Sequence, residues 1–268
     1  MLELLEQLFR QVRAYVQSER FDRNQVYHQS IEHTTMQFDR DAEDFIINGL
    51  MASGIGFEVL TEERPLLTTT PNPSYRIVID PIDGSTNMAR GIMAAGVALA
   101  VLPIDAPILP EQVQWALVGE LFSGTVYEAK YGGGAFRNGR RCQVSEVRTI
   151  PESLVGMNFD ERDKQTLQAL LIKEPTLGHV RRSGSSALDS VYVASGSYDA
   201  YIDIGGELTG ESFLASASIV LEAGGVVSDH KGKPLRPITT LNEKFSLVIA
   251  GTKELHHAII ERIKDTVT

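Results

Sequence analysis

A layered α/β fold, of the mixed α+β kind rather than a uniform βαβ sheet, is what this 268-residue sequence predicts. Helix-periodic stretches and β-branched runs alternate along the whole chain. Several of the strand-like runs are joined by turn chemistry and not by helices, which is the mark of antiparallel pairing. No internal repeat, low-complexity segment or linker divides the sequence. One domain over 1–268 is expected, with subdomains of about 1–145 and 146–268.

Leu5, Leu8, Val12 and Val16 recur at helical spacing and predict an amphipathic first helix. Residues 21–38 are polar and aperiodic, with His28 and His33 among them. A second helix carries Ala42, Phe45, Ile46 and Leu50 on its apolar face, with Asp39 as N-cap and Gly54 and Gly56 at its end. Strands are expected at 57–60, 75–79, 96–102, 114–120 and 125–129, and a Thr/Pro-rich loop at 66–74. Asn138-Gly139 favours a type I′ hairpin turn. In the second half, strands are predicted at 153–158, 198–204, 226–229 and 247–250. Helices are predicted at 162–172, from Gly184 to Ser195, at 213–223, and from Thr252 or Lys253 onward.

The formal charge of −10 argues against a nucleic-acid or anionic-membrane partner, since both need clustered Lys and Arg. A small phosphorylated substrate is compatible with it, because a bound divalent ion reverses the local field. Cys142 is the only cysteine, which excludes an intramolecular disulfide and a Cys-based zinc site. No apolar run approaches transmembrane length, and Met1-Leu2-Glu3-Leu4-Leu5-Glu6 is acidic, unlike a signal peptide. A cytoplasmic location is expected.

The stretch with most chemistry is Asp80-Pro81-Ile82-Asp83-Gly84-Ser85-Thr86-Asn87. Two carboxylates flank a rigid Pro-Ile step, and the Ile82 carbonyl lies between them. Hard cations such as Mg²⁺ take oxygen ligands of this kind. Gly84 permits close backbone approach, and Ser85 and Thr86 stand where a helix would start, with N–H groups free for phosphate oxygens. Glu62 and Glu63 follow a neighbouring strand and offer a further ligand or a group to orient water. Two metals that clamp the attacking and leaving oxygens are a common solution for phosphoryl hydrolysis. By itself Asp-Pro-x-Asp-Gly reads equally well as a solvated turn.

At these residues the sequence resembles the inositol monophosphatase family. Its Asp-Pro-x-Asp-Gly-Thr/Ser-x-Asn motif stands intact at Asp80 to Asn87, and its Glu-Glu pair matches Glu62-Glu63. Gly132 to Gly139, Arg181 to Ala187, Gly196 to Asp199 and Glu222-Ala223-Gly224-Gly225 match further family segments in order. The resemblance implies a layered αβαβα sandwich and Mg²⁺-dependent hydrolysis of a small phosphate monoester, with inositol monophosphate the first candidate. Fructose bisphosphate and phosphoadenosine nucleotides are alternatives. Glu62, Asp80, Asp83 and the Ile82 carbonyl would hold the metals, and Glu62 and Ser85 would act catalytically by orienting water. Asp83 and the N–H groups of Gly84 and Ser85 would bind the substrate's phosphate end. Gly184, Ser185, Ser186 and Asp203 would face its alcohol. Family members are commonly homodimers, so a homodimer is expected, as is sensitivity to Li⁺.

The family's last motif, Trp-Asp-x-Ala-Ala/Gly, is altered here. The position of its Asp, counted back from Glu222, falls on Ser212, with Glu211 in the Trp position. The segment 203–212 is also about two residues longer than the family's. Three readings follow from this. Glu211 is a substitute metal ligand, or the enzyme works with a weak second metal, or the protein binds a ligand without hydrolysing it. The basic residue that the family often carries before the second helix is not evident either, His28 and His33 being the nearby candidates.

Overall fold

The computed structural model describes residues 1–29, 34–62, 64–159, 170–172 and 174–264. Two helices, α1 (Leu2–Val16) and α2 (Gln37–Ala52), form the outer layer. They bury Leu5, Leu8, Phe9 and Val12 from α1, and Phe38, Ala42, Ile46, Ile47 and Leu50 from α2. Apart from Ala42, each such side chain contributes about 1.5–3 kcal/mol. Phe45, expected in that stripe, is instead 38% exposed and lies 5.2 Å from the Tyr15 ring.

Beneath them lies an eight-stranded sheet. Its strands are β3 (Phe57–Thr61), β4 (Arg64–Thr68), β5 (Tyr75–Asp83), β6 (Gly96–Pro103), β7 (Trp115–Glu120), β8 (Val126–Lys130), β9 (Gly134–Arg137) and β10 (Arg140–Arg141), in the order β10-β9-β8-β7-β6-β5-β3-β4. Val97, Leu99 and Val101 of β6 turn toward α1 and α2, while Ala98, Ala100 and Leu102 turn to the opposite face. The small residues on that second face let helices pack closely. These are α4 (Ser186–Ala194) and α5 (Gly210–Glu222), the latter burying Ala215, Ser216, Ala217 and Ser218.

A five-stranded sheet covers those helices in turn, in the order β12-β11-β13-β15-β14. It comprises β11 (Leu154–Asn158), β12 (His179–Arg181), β13 (Ala200–Thr209), β14 (Val226–Ser228) and β15 (Lys244–Ala250). Helix α6 (Lys253–Lys264) closes the last layer through Leu255, Ile259, Ile260 and Ile263. The five layers run αβαβα, as the resemblance implied. No helix among the described residues is long and apolar enough to cross a membrane.

The structure corrects several element assignments. The aperiodic region 21–38 contains a hairpin, β1 (Val26–Gln29) with β2 (Thr34–Met36). Helix α2 is capped at Met36 and not at Asp39. Asp39 lies three residues further in and accepts the Met36 N–H at 3.1 Å. The expected loop at 66–74 begins as strand β4, an exposed edge strand that tolerates Pro65 and shows no alternation to betray it. Edge strand β12 is likewise too short to leave a pattern. Of the helix expected at 162–172, only 170–172 lie within the described residues, and they are helical. His33 and Glu63 lie outside the described residues. His28 is exposed on β1.

Two bulges shape the site. On β5, Asp80 pairs with Ala98 and Asp83 with Gly96, so three steps of β5 oppose two of β6. An extra residue reverses the alternation. Asp80 and Asp83 therefore face the same side of the sheet, toward α4 and α5. On β13, Asp203 pairs with Leu247 but Leu208 with Phe245, so the extra length foreseen before Ser212 is absorbed in a bulge at Gly205-Gly206.

Distant motifs are also tied by one carboxylate. Glu222, at the end of α5, accepts the backbone N–H groups of Gly132 and Gly134, each at 2.8 Å. Removing it strands the N–H of buried Gly134, at a cost of about 1–3 kcal/mol, while the exposed Gly132 N–H turns to water. Glu222→Ala is therefore expected to lower the thermal midpoint by about 2–8 °C in a circular-dichroism melt. An unchanged midpoint would contradict this role.

Candidate active site

The bulged end of β5 passes into α3 (Ser85–Arg90) through Gly84, whose φ of +99° is left-handed. A Cβ there would come within 2.9 Å of the Ala94 carbonyl, so the turn requires glycine. Ser85 Oγ lies 2.7 Å from Asp39 Oδ1 and 2.8 Å from the Ile82 carbonyl oxygen. Asp39, taken from the sequence only as a helix cap, thus belongs to the site. No local signal pointed to this, because the pair is 46 residues apart. Asn87 Nδ2 donates to Ala94 O and Ser183 O, and so joins α3 to the segment before α4.

Asp83 is held by that segment. Its Oδ2 accepts Ser185 Oγ–H at 2.5 Å and the Ala187 N–H at 2.7 Å. Ser185 also caps α4 by accepting the Leu188 N–H. Burial pushes the Asp83 carboxyl up to about 7 despite these two bonds. Asp80 is 5% exposed. Burial, and then the charges of Asp83, Glu62, Glu211 and Asp39, hold its carboxyl well above the usual carboxylate range.

At the start of α5, Ser212 Oγ donates to Asp80 Oδ2 at 3.3 Å. Glu211 is 2% exposed and its Oε2 has no hydrogen-bond partner. Burial pushes its carboxyl up to about 7, with Thr209 and Lys244 opposing and Glu62 adding. Glu62, in the turn after β3, and Glu211 line one cavity of 740 Å³ together with Arg64, Thr209 and Lys244. Behind Glu62, the buried Glu43 accepts Thr61 Oγ1 at 2.7 Å and Arg64 Nε at 2.5 Å, and Arg64 also pairs with Asp44. This fixes the turn that carries Glu62.

On the other side of Asp83, Gly184, Ser185 and Ser186 line a small 70 Å³ pocket with Asn158, Asp189 and Tyr201. Asp203 lies beneath it, fully buried, and accepts Asn158 Nδ2 at 3.0 Å and Tyr201 OH at 3.3 Å. Tyr201 OH also meets Ser186 Oγ at 3.0 Å. The site residues read from the sequence therefore gather in two adjoining groups. Glu62 and Glu211 line one cavity with Asp80 close behind them, and Ser185 and Ser186 line the other pocket, Ser185 bonded to Asp83 and Ser186 linked to Asp203 through Tyr201. Asn158, Asp189 and Tyr201 were missed, and nothing in their local sequence sets them apart.

Among the described residues, no three Asp, Glu, His or Cys side chains stand as a ready-made ligand set. The donors nonetheless suit a hard cation. All are oxygen, several are buried beside one another, and Glu211 Oε2 is an orphaned acceptor at their edge.

The family model described as the inositol monophosphatase family matches residues 1–268. A protein called fructose-1,6-bisphosphatase/inositol-1-monophosphatase from Thermococcus kodakarensis is 30% identical over 231 residues, 86% of this chain and 83% of that protein. A protein called Nus factor SuhB from Pseudomonas aeruginosa is 32% identical over 243 residues, 88% of this chain and 84% of that protein. Among solved structures, the extragenic suppressor protein suhB from Bartonella henselae matches with a TM-score of 0.82 at 25% identity, over 98% of both chains.

The raised carboxyls have a consequence for pH. Asp83 and Glu211 titrate near 7 in the metal-free fold. In the unfolded chain they titrate near ~4. Between these values the folded state binds more protons, so these groups make the metal-free fold less stable as pH rises. A cation that replaces the protons reverses the effect. The gain in melting temperature from Mg²⁺, relative to EDTA, is expected to be larger at pH 7.5 than at pH 5.5. An equal or smaller gain at pH 7.5 would contradict it.

Proposed function

The chain belongs to the inositol monophosphatase family, and from that premise we propose that it is a Mg²⁺-dependent phosphatase for a small phosphate monoester, an inositol monophosphate or a related sugar phosphate. The observation that carries this reading is the unpartnered Glu211 Oε2 at the edge of the buried carboxylates. It marks an acceptor for a cation beside the position where the family's Asp has become Ser212.

Glu62, Asp80 and the Ile82 carbonyl would hold one ion. Asp80 and Asp83 would hold a second, with Glu211 reaching in for the missing carboxylate. When bound, Mg²⁺ supplies charge neutralisation for the phosphate oxygens and makes nearby water more acidic. The chain's own groups do the rest. Ser85 Oγ directs its proton to Asp39 Oδ1 and keeps lone pairs for a water that Glu62 also orients. The N–H groups of Gly84 and Ser85 bind phosphate, with Gly84 held open by its left-handed turn. Ser185 and Ala187 both hold Asp83 through the one oxygen, Oδ2. Ser186, Tyr201 and Asp203 form a hydrogen-bonded row on the alcohol side of the substrate.

A second reading is favoured by Ser212 itself. Serine is a neutral donor to Asp80, so a second ion is held less tightly than by a carboxylate, and a protein that binds without turnover is the alternative. One curated relative is called a Nus factor. Phosphate release from a panel of monoesters across a Mg²⁺ titration separates the two. Turnover of at least one monoester is expected, with Glu211→Gln lowering kcat/KM by at least ~10-fold, the scale of a disturbed metal shell. Ser212→Asp is expected to lower the Mg²⁺ needed for half-maximal rate. If the natural chain hydrolyses none of the panel while Ser212→Asp gains activity, the binding reading stands instead.

A further inference from the structure

We infer that the cleft beneath the β9–β10 hairpin is a second anion site, built for a phosphate-bearing small molecule and separate from the carboxylate site. The cleft is open to solvent, has a volume of 620 Å³ and is lined by Arg137, Asn138, Arg140, Arg141, Gln143 and Ser195, the arginines exposed and no Asp or Glu among its lining residues. That is an unusual wall for a chain of net charge −10. Arg137 and Arg140 are direct cross-strand partners across the Asn138-Gly139 turn. Like charges opposed in this way destabilise a hairpin unless an anion lies between them. Among the described residues, none of the three guanidinium groups forms an ion pair.

Two of the arginines are packed against neighbours. The Arg137 guanidinium stacks over the Tyr127 ring at 5.5 Å. That of Arg141 lies over the Gly134 backbone, where a Cβ would come within 2.9 Å of it. Tyr127 is fully buried beside Arg137 and Ser195. The neighbouring C-terminus of α4 does not explain the cationic wall, because its carbonyls are already met by backbone N–H groups of Ser195, Gly196 and Ser197.

The occupant's class follows from shape and charge. The volume falls in the ~300–1,000 Å³ range of small-molecule sites. Guanidinium forks match phosphate oxygens two at a time. Three arginines confined to one cleft do not form the extended basic track that a nucleic acid requires. Ser195 caps one end of α4 and Ser185, which holds Asp83, caps the other. The nine-residue helix separates them by about 14 Å, so the cleft is not part of the carboxylate site.

Isothermal titration of the full chain with inorganic pyrophosphate, in EDTA, tests the assignment. One equivalent is expected to bind, and Arg140→Gln/Arg141→Gln to weaken it at least ~10-fold while the melting temperature does not fall and the Mg²⁺ response stays as in the natural chain. Asp80→Asn is expected to leave the binding unchanged. No binding by the natural chain overturns the proposal, as does equal binding by the double variant, or binding lost in Asp80→Asn alone. A 12-mer RNA that binds through the same arginines more tightly than pyrophosphate overturns the small-molecule class.

Discussion

Carboxylates held out of water beside one another repel, and the fold is arranged around that cost. Asp80 is buried within reach of the charges of Asp83, Glu62, Glu211 and Asp39, and its carboxyl is driven up accordingly. Three of these neighbours are restrained by separate elements. Asp83 is tied to the start of α4, Asp39 to Ser85, and the Glu62 turn to the Glu43–Arg64 pair behind it. None of these restraints brings a cation to Asp80 itself. Such a cluster stores instability in the apo protein and favours a bound divalent ion in proportion.

The layering serves the same end. The two middle helices begin at the site, α4 at Ser185 and α5 at Glu211 and Ser212, and both are packed between the sheets by small residues. Their far ends anchor distant loops. Glu222 at the end of α5 holds the glycine loop before β9, and the end of α4 meets the arginine-lined cleft. The helix starts thus fix Ser185, Glu211 and Ser212, while the β5 bulge fixes Asp80 and Asp83.

Much of this was legible in the sequence because the signals were local. The β-branched run before Asp80, the Asn-Gly turn, the glycines after Glu222 and the Asp80–Asn87 stretch each carry their chemistry within a few residues. Fold and family followed from them. What was not legible depended on pairing across the chain. The role of Asp39 exists only because α2 packs against β5, which brings it to Ser85, 46 residues away. The Tyr201–Asp203–Asn158 network needs β11 beside β13. Strands β1, β2, β4 and β12 are short or exposed, and their residues lack the alternation that burial imposes. The β5 bulge explains why two aspartates three residues apart share a face, which simple alternation forbids.

The central claim is that Glu211 completes a cation site that Ser212 alone leaves short of a carboxylate. The most direct measurement is a crystal structure of the protein soaked in Mn²⁺, with anomalous difference density to locate each ion. The account predicts two ions at the Asp80 cluster, one of them bound by the Glu211 carboxylate. A single ion at Glu62 and Asp80, with Glu211 turned away from it, would contradict the account.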